Sequence, residues 1–286
     1  MILEALGEPP LVLRDARRLV WRAAACPAET RSATRKVPEE TAVAFVYEGA
    51  AYAVMMATPA DLEDFAVGFS LSEGIVPNSG AIESLDVVTT EDGVVLHMTL
   101  AGPSAEAMWQ RRRRLAGPSG CGLCGIESLA EAARRPRRVR GDLCISASAI
   151  TEAMTKLPAL QPMNRQTGAL HAAAFWTPEA GIALVREDVG RHNALDKLAG
   201  AAARVGLDGA EGAVLLTSRV SVEMVQKAAI FGASLLVAVS APTALAVRAA
   251  ESAGITLVAV ARRDGFETFT HAERILADAP LPQTDG

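Results

Sequence analysis

Two thiols, Cys121 and Cys124, carry the strongest chemical promise in this chain, framed as Gly120-Cys121-Gly122-Leu123-Cys124-Gly125. Two-residue spacing lets both sulfurs meet one metal ion, close a disulfide or share a reactive centre. A structural zinc needs four ligands. The other cysteines, Cys26 and Cys144, stand alone, and the four histidines (His97, His171, His192, His271) are scattered, so no metal site is expected. Thioredoxin-like exchange wants the pair at the start of a helix that follows a strand; here arginine and glycine precede it. Inert cysteines favour apolar neighbours, whereas these have glycines and an arginine halo. The reading that survives is a reactive thiol on a glycine-rich loop, its thiolate favoured by guanidinium groups and a helix N-terminus.

Three turns at strand ends offer a second kind of chemistry. In Glu187-Asp188-Val189-Gly190-Arg191-His192-Asn193, glycine permits close backbone approach, and Arg191 and His192 add donors at a helix N-terminus, where anions gather. The competing reading is a charged turn capped by Asp188. Thr217-Ser218-Arg219 has the same form, and Glu223 with Lys227 reads as an i,i+4 pair on a solvated helix face. Val260, Ala261, Arg262, Arg263, Asp264 and Gly265 follow an apolar strand, and in open α/β sheets ligands gather beyond the carboxyl ends of strands. Two arginines there could grip phosphate bidentately.

The elements that must hold these residues follow from periodicity. Residues 1–35 show no clear period and read as an arm. Thr41–Glu48 and Ala51–Thr58, separated by Gly49, read as a hairpin. Thr58-Pro59-Ala60-Asp61 reads as a helix start with Thr58 as N-cap, an apolar face of Leu62, Phe65 and Phe69, and Gly74 as stop. Strands at Ile82–Thr90 and Val94–Leu100 complete a small α+β domain, 36–110. A short helical piece with Trp109 then leads into a basic, Gly-rich loop, 111–143, with a further short helix from Ile126. Domain 144–286 alternates strands (Gly168–Trp176, Ile182–Glu187, Ala213–Thr217, Leu235–Ser240, Ile255–Ala261) with helices (Arg191–Arg204, Val220–Phe231, Thr243–Ala253). Its last three strands are apolar on both faces, as parallel strands between helix layers must be.

Composition bounds the function. Half of the 286 residues are apolar and 21% are charged, which excludes a disordered chain. The net charge of −5 argues against a nucleic-acid track, yet 111–140 holds nine arginines against Glu127 and Glu131. A basic island in an acidic protein points to one anionic partner. MILEALGEPP has no basic start or sustained apolar run, so no export signal is read and a cytoplasmic location is expected. The uncharged run Ala228–Val247 reads as helix end, buried strand, turn and helix start rather than a membrane span.

Taken in order, CGLCG at 121–125, TGALHAAAF at 167–175, REDVGRHNALDKL at 186–198, SRVSVEMVQKAAIFGA at 218–233 and ITLVAVARRDGFETFTH at 255–271 resemble the FdhD family of formate dehydrogenase accessory sulfurtransferases. The resemblance implies an α/β protein whose C-terminal domain has the three-layer α/β/α cytidine-deaminase-like fold. It implies a homodimer that takes sulfur as a persulfide from a cysteine desulfurase. The sulfur would pass to the bis(molybdopterin guanine dinucleotide) form of the molybdenum cofactor, for formate dehydrogenase as client. By position Cys121 would bear the persulfide, Cys124 would resolve or relay it, and Val260–Gly265 would contact the cofactor. Deaminase chemistry itself is excluded. Zinc deaminases need a glutamate two residues after the metal-binding His or Cys, and His171-Ala172-Ala173 offers alanine there.

Overall fold

The computed structural model describes residues 13–20, 31–115 and 136–277. The chain opens with an antiparallel ribbon of β1 (Leu13–Val20) and β2 (Arg31–Pro38), in register from Leu13↔Pro38 to Val20↔Arg31. The expected arm is therefore strand over these residues. Its charged sequence lacks the apolar/polar alternation that marks a half-buried sheet; backbone pairing, the Lys36–Asp15 ion pair and a bond from Arg35 to the Thr167 carbonyl hold it.

A four-stranded sheet follows, from β3 (Thr41–Tyr47), β4 (Ala50–Ala57), β5 (Ile82–Thr89) and β6 (Val94–Leu100), in the order β4-β3-β6-β5. The β3–β4 hairpin turns at Gly49, whose φ of 72° suits glycine. One sheet face buries Val43, Phe45, Tyr47, Leu96 and Met98 against Phe65 and Phe69 of α1 (Leu62–Ser72). α1 starts three residues later than the N-cap reading of Thr58 predicts. The Thr58 hydroxyl is engaged elsewhere, as described below, and Asp61 (φ 52°) turns the chain into the helix. α2 (Gly102–Leu115) takes in all of Arg111–Arg114, so the basic stretch begins as helix.

Past residue 135, β7 (Ile145–Ser146), α3 (Ala147–Lys156) and α4 (Pro162–Thr167) lead into a six-stranded sheet. The two helices have no counterpart in the sequence reading. The sheet comprises β8 (His171–Thr177), β9 (Gly181–Asp188), β10 (Ala213–Leu216), β11 (Leu235–Ala238), β12 (Thr256–Arg262) and β13 (Gly265–Thr268), ordered β13-β12-β11-β10-β8-β9. β10, β11 and β12 are parallel, as their two-sided apolarity requires. β8 runs antiparallel to both β10 and β9. Leu216, Leu236 and Leu257 face α5 (Arg191–Val205), α6 (Val222–Phe231) and α7 (Ala244–Ala253). Leu215, Val237 and Val258 face Ile150 and Met154 of α3, so helices cover both faces. β14 (Ile275–Leu276) closes the described chain by pairing with β7.

The two sheets meet through α1 and α5. These helices cross at Gly68 and Gly200, and a Cβ on either glycine would lie within 2 Å of a backbone carbonyl oxygen of the other helix. Among the described residues no helix is long and apolar enough to cross a membrane. The Ala228–Val247 run divides into the end of α6, β11 and the start of α7.

Candidate functional site

The directions of the strands bring the carboxyl ends of β9, β10, β11 and β12 and the amino end of β8 to one edge of the large sheet. His171, at that end of β8, pairs in register with Asp188 on β9. Thr217, just past β10, accepts at its Oγ1 from Ala172 N at 2.8 Å. Val260 N donates to Ser240 O at 3.4 Å, which aligns the ends of β11 and β12. The sequence-derived candidates Arg191, His192 and Val260–Gly265 thus lie along one rim, as expected for an open α/β sheet.

Val260 has a φ of 52°, a left-handed conformation rarely adopted by a β-branched residue. It sits within the register shift between Ala259 and Arg262, where β12 breaks pairing with β13. Ala261 is buried, while Arg262, Arg263 and Asp264 are exposed, and Gly265 (φ 142°) opens β13. Past the bulge Arg262 pairs again with Gly265, and Arg263 and Asp264 form the turn into β13.

At the other end of the rim, Arg191 and His192 open α5. The Nε of Arg191 is buried and has no hydrogen-bond partner among the described residues. Buried polar atoms are nearly always hydrogen-bonded, so this donor is an exception within the rim. His192 Nε2 lies 3.0 Å from Glu223 Oε2, which also accepts from Ser221 Oγ at 3.1 Å. Burial, and next the Arg191 charge, hold His192 below the usual histidine range against the pull of Glu223. His171 is lowered in the same way, by burial first and then by Arg191. The two imidazoles are therefore neutral near pH 7, and Arg191 is the fixed cation beside them.

The expected Glu223–Lys227 pair does not form. Lys227 Nζ turns to Asp196, at 2.8 and 2.9 Å, and Glu223 turns to His192. The capping role weighed for Asp188 is not what forms: Gly190 is the N-cap of α5, without a side-chain cap, and Asp188 instead ties the turn to distant groups. Its Oδ1 accepts from Gly190 N (2.7 Å) and Asn193 Nδ2 (3.0 Å), and its Oδ2 from Thr58 N (3.0 Å), with Lys197 Nζ at 2.6 Å. Asp188 and Lys197 are both wholly buried. Gly190 is required because a Cβ there would meet Asn193 Nδ2 at 2.9 Å, so the space read as room for a ligand holds a side-chain amide. Glu187 accepts from Met163 N and Asn164 N, tying α4 to β9, and burial raises its pKa. Arg186 bonds to Asp64 of α1. Charged residues in tight sequence order were the visible signal; the partners Thr58 and Asp64, more than a hundred positions earlier, were not.

Cys121 and Cys124, and the helix expected from Ile126, lie outside the described residues, as does Cys26. Cys144 is exposed and free. Among the described residues no group of three or more His, Cys, Asp or Glu could hold a metal ion.

The model of the FdhD/NarQ family matches residues 38–276. The sulfur carrier protein FdhD of Agrobacterium fabrum is 52% identical over 243 residues, 85% of this chain and 90% of that protein. The protein of the same name from Cupriavidus necator is 50% identical over 246 residues, 86% and 85% of the two chains. A crystal structure from Desulfotalea psychrophila, described as a formate dehydrogenase accessory protein, aligns with a TM-score of 0.73 at 22% identity, covering 93% of this chain and all of that one. That last likeness is one of fold. With its motifs, its matched length and its relatives in agreement, this chain belongs to the FdhD/NarQ family.

Proposed function

We propose that this protein is a sulfur carrier that moves sulfur from a cysteine desulfurase to the bis(molybdopterin guanine dinucleotide) molybdenum cofactor, its substrate, for use by formate dehydrogenase. The observation that carries the reading is 52% identity, over 85% of this chain, to a protein named as a sulfur carrier, in a chain with the CGLCG run.

The chemistry balances on the chain's own thiols. The Cys121 thiolate attacks the outer sulfur of the donor's persulfide; that S–S bond breaks, the donor leaves as thiolate, and Cys121 holds the persulfide. Attack of the Cys124 thiolate on the inner sulfur expels the outer one as hydrosulfide and leaves a Cys121–Cys124 disulfide. The pair itself thus supplies the two electrons. The arginines on either side favour thiolate over thiol.

The strand-end rim supports the cofactor half of the reading. The unpaired Arg191 Nε and the positive end of α5 suit a phosphate of the dinucleotide, and Arg262 and Arg263 suit another. The order β9-β8-β10-β11-β12, with β8 antiparallel to its neighbours, supports the deaminase-like fold that the family resemblance implies. A cytoplasmic homodimer is part of the same reading.

The test is mass spectrometry of the protein after incubation with a cysteine desulfurase and cysteine. The expected result is one added sulfur on the peptide holding Cys121, lost in Cys121→Ala. No adduct, or cofactor delivery that survives Cys121→Ala, would overturn sulfur transfer and leave a cofactor chaperone. Stoichiometric zinc, lost with both thiols, would mark an interaction module instead.

A further inference from the structure

The turn that carries Arg191 and His192 is held from the other sheet. Thr58, fully buried just past β4, bonds through each of its three polar groups to a residue 130 or more positions away, its carbonyl also accepting from Ala60 N at 2.8 Å. Its N–H donates to Asp188 Oδ2 at 3.0 Å, its hydroxyl accepts from Val189 N at 3.1 Å, and its carbonyl accepts from Lys197 Nζ at 2.8 Å. Asn193 Nδ2 adds a bond to Met56 O at 2.9 Å while also meeting Asp188 Oδ1. Residues 188–193 therefore take their shape from the last three residues of the β4 end as much as from β9 and α5. Arg191 itself has an Nε without a partner among the described residues, so the backbone beneath it must aim it.

We propose that Thr58 is a positioning residue for the anion site at the strand-end rim, setting the Asp188–Asn193 turn so that Arg191 addresses one anionic group, a phosphate or pyrophosphate. The inference rests on the rim reading given under the proposed function. Binding groups act only when held close to their productive geometry, and a misplacement of about 1 Å can cost two orders of magnitude. A threonine serving merely as a helix cap would spend its hydroxyl on its own helix; this one spends it on the turn.

Thr58→Val keeps the volume and the two backbone contacts but removes the acceptor for Val189 N–H. Thr58→Ser keeps the acceptor. Binding of inorganic pyrophosphate to the full chain at low salt is measured by calorimetry, beside the melting temperature. Leu96→Val, in the core of the small sheet, serves as a stability control. The expected result is an affinity about tenfold weaker in Thr58→Val, close to wild type in Thr58→Ser, and unchanged in Leu96→Val at a comparable fall in melting temperature. Wild-type affinity in Thr58→Val, with binding abolished in Arg191→Met, overturns the positioning role and leaves the rim reading standing. An absence of pyrophosphate binding in the wild type, or binding indifferent to Arg191→Met, overturns the rim reading and this inference together.

Discussion

Alanine at position 68 would set a methyl carbon 1.7 Å from the Asp196 carbonyl oxygen, and alanine at 200 would set one 1.8 Å from that of Asp64. Both obstacles are backbone atoms, with no flexible side chain to swing aside. Ordinary contact requires α1 and α5 to separate by roughly 1.5 Å along that line, enough to forfeit much of their mutual dispersion attraction. Overpacking of a well-filled contact costs about 1–3 kcal/mol, and the upper end applies where backbone meets methyl. Alanine's better helix propensity returns about 1 kcal/mol. Gly68→Ala is thus expected to destabilise the protein by about 2 kcal/mol, or about 4–8 °C in melting temperature. The assay is thermal and urea unfolding of both single variants and the double. The double should cost less than the sum, because helices already parted by one methyl leave room for the second. A rise in stability of about 1 kcal/mol in Gly68→Ala, the propensity gain alone, would refute the close crossing.

His171 and His192 set a pH dependence. Their folded pKa values lie below the ordinary 6.5, so the unfolded chain takes up protons first as pH falls. Their contribution is full above that value and is lost as pH drops through it; melting temperature between about pH 8 and 5.5 should show the decline, and His171→Asn with His192→Asn should flatten it. Lys197→Met leaves the Asp188 carboxylate buried without its cation and should cost about 3–5 kcal/mol by urea unfolding. Adding Asp188→Asn should recover part of that loss, since the remaining donors can still be met; no recovery would show that the pair's charge is not what matters.

Much of the large sheet was legible because its signals are local. Apolar runs at Ala213–Leu216, Leu235–Ala238 and Thr256–Arg262 can only be strands covered on both faces, and Gly206, Gly232 and Gly254 mark the helix ends between them. The β1–β2 ribbon escaped notice because charge, not periodicity, dominates it. The start of α1 was misplaced because Thr58 obeys a distant turn rather than the nearer helix.

By itself, the sequence determined the order of the elements from β8 to β12, the glycine-framed thiol pair and the family. These depend on residue type and short spacing, which the chain carries wherever it goes. The roles within Arg186–Leu198 were decided only by tertiary structure. Polar residues in one short run became a buried clamp (Asp188, Asn193, Lys197), a seam to α1 (Arg186) and a donor without a partner among the described residues (Arg191 Nε). A charge takes its role from its partners, and here the partners come from residues 56–64, which no spacing rule connects to 186–198.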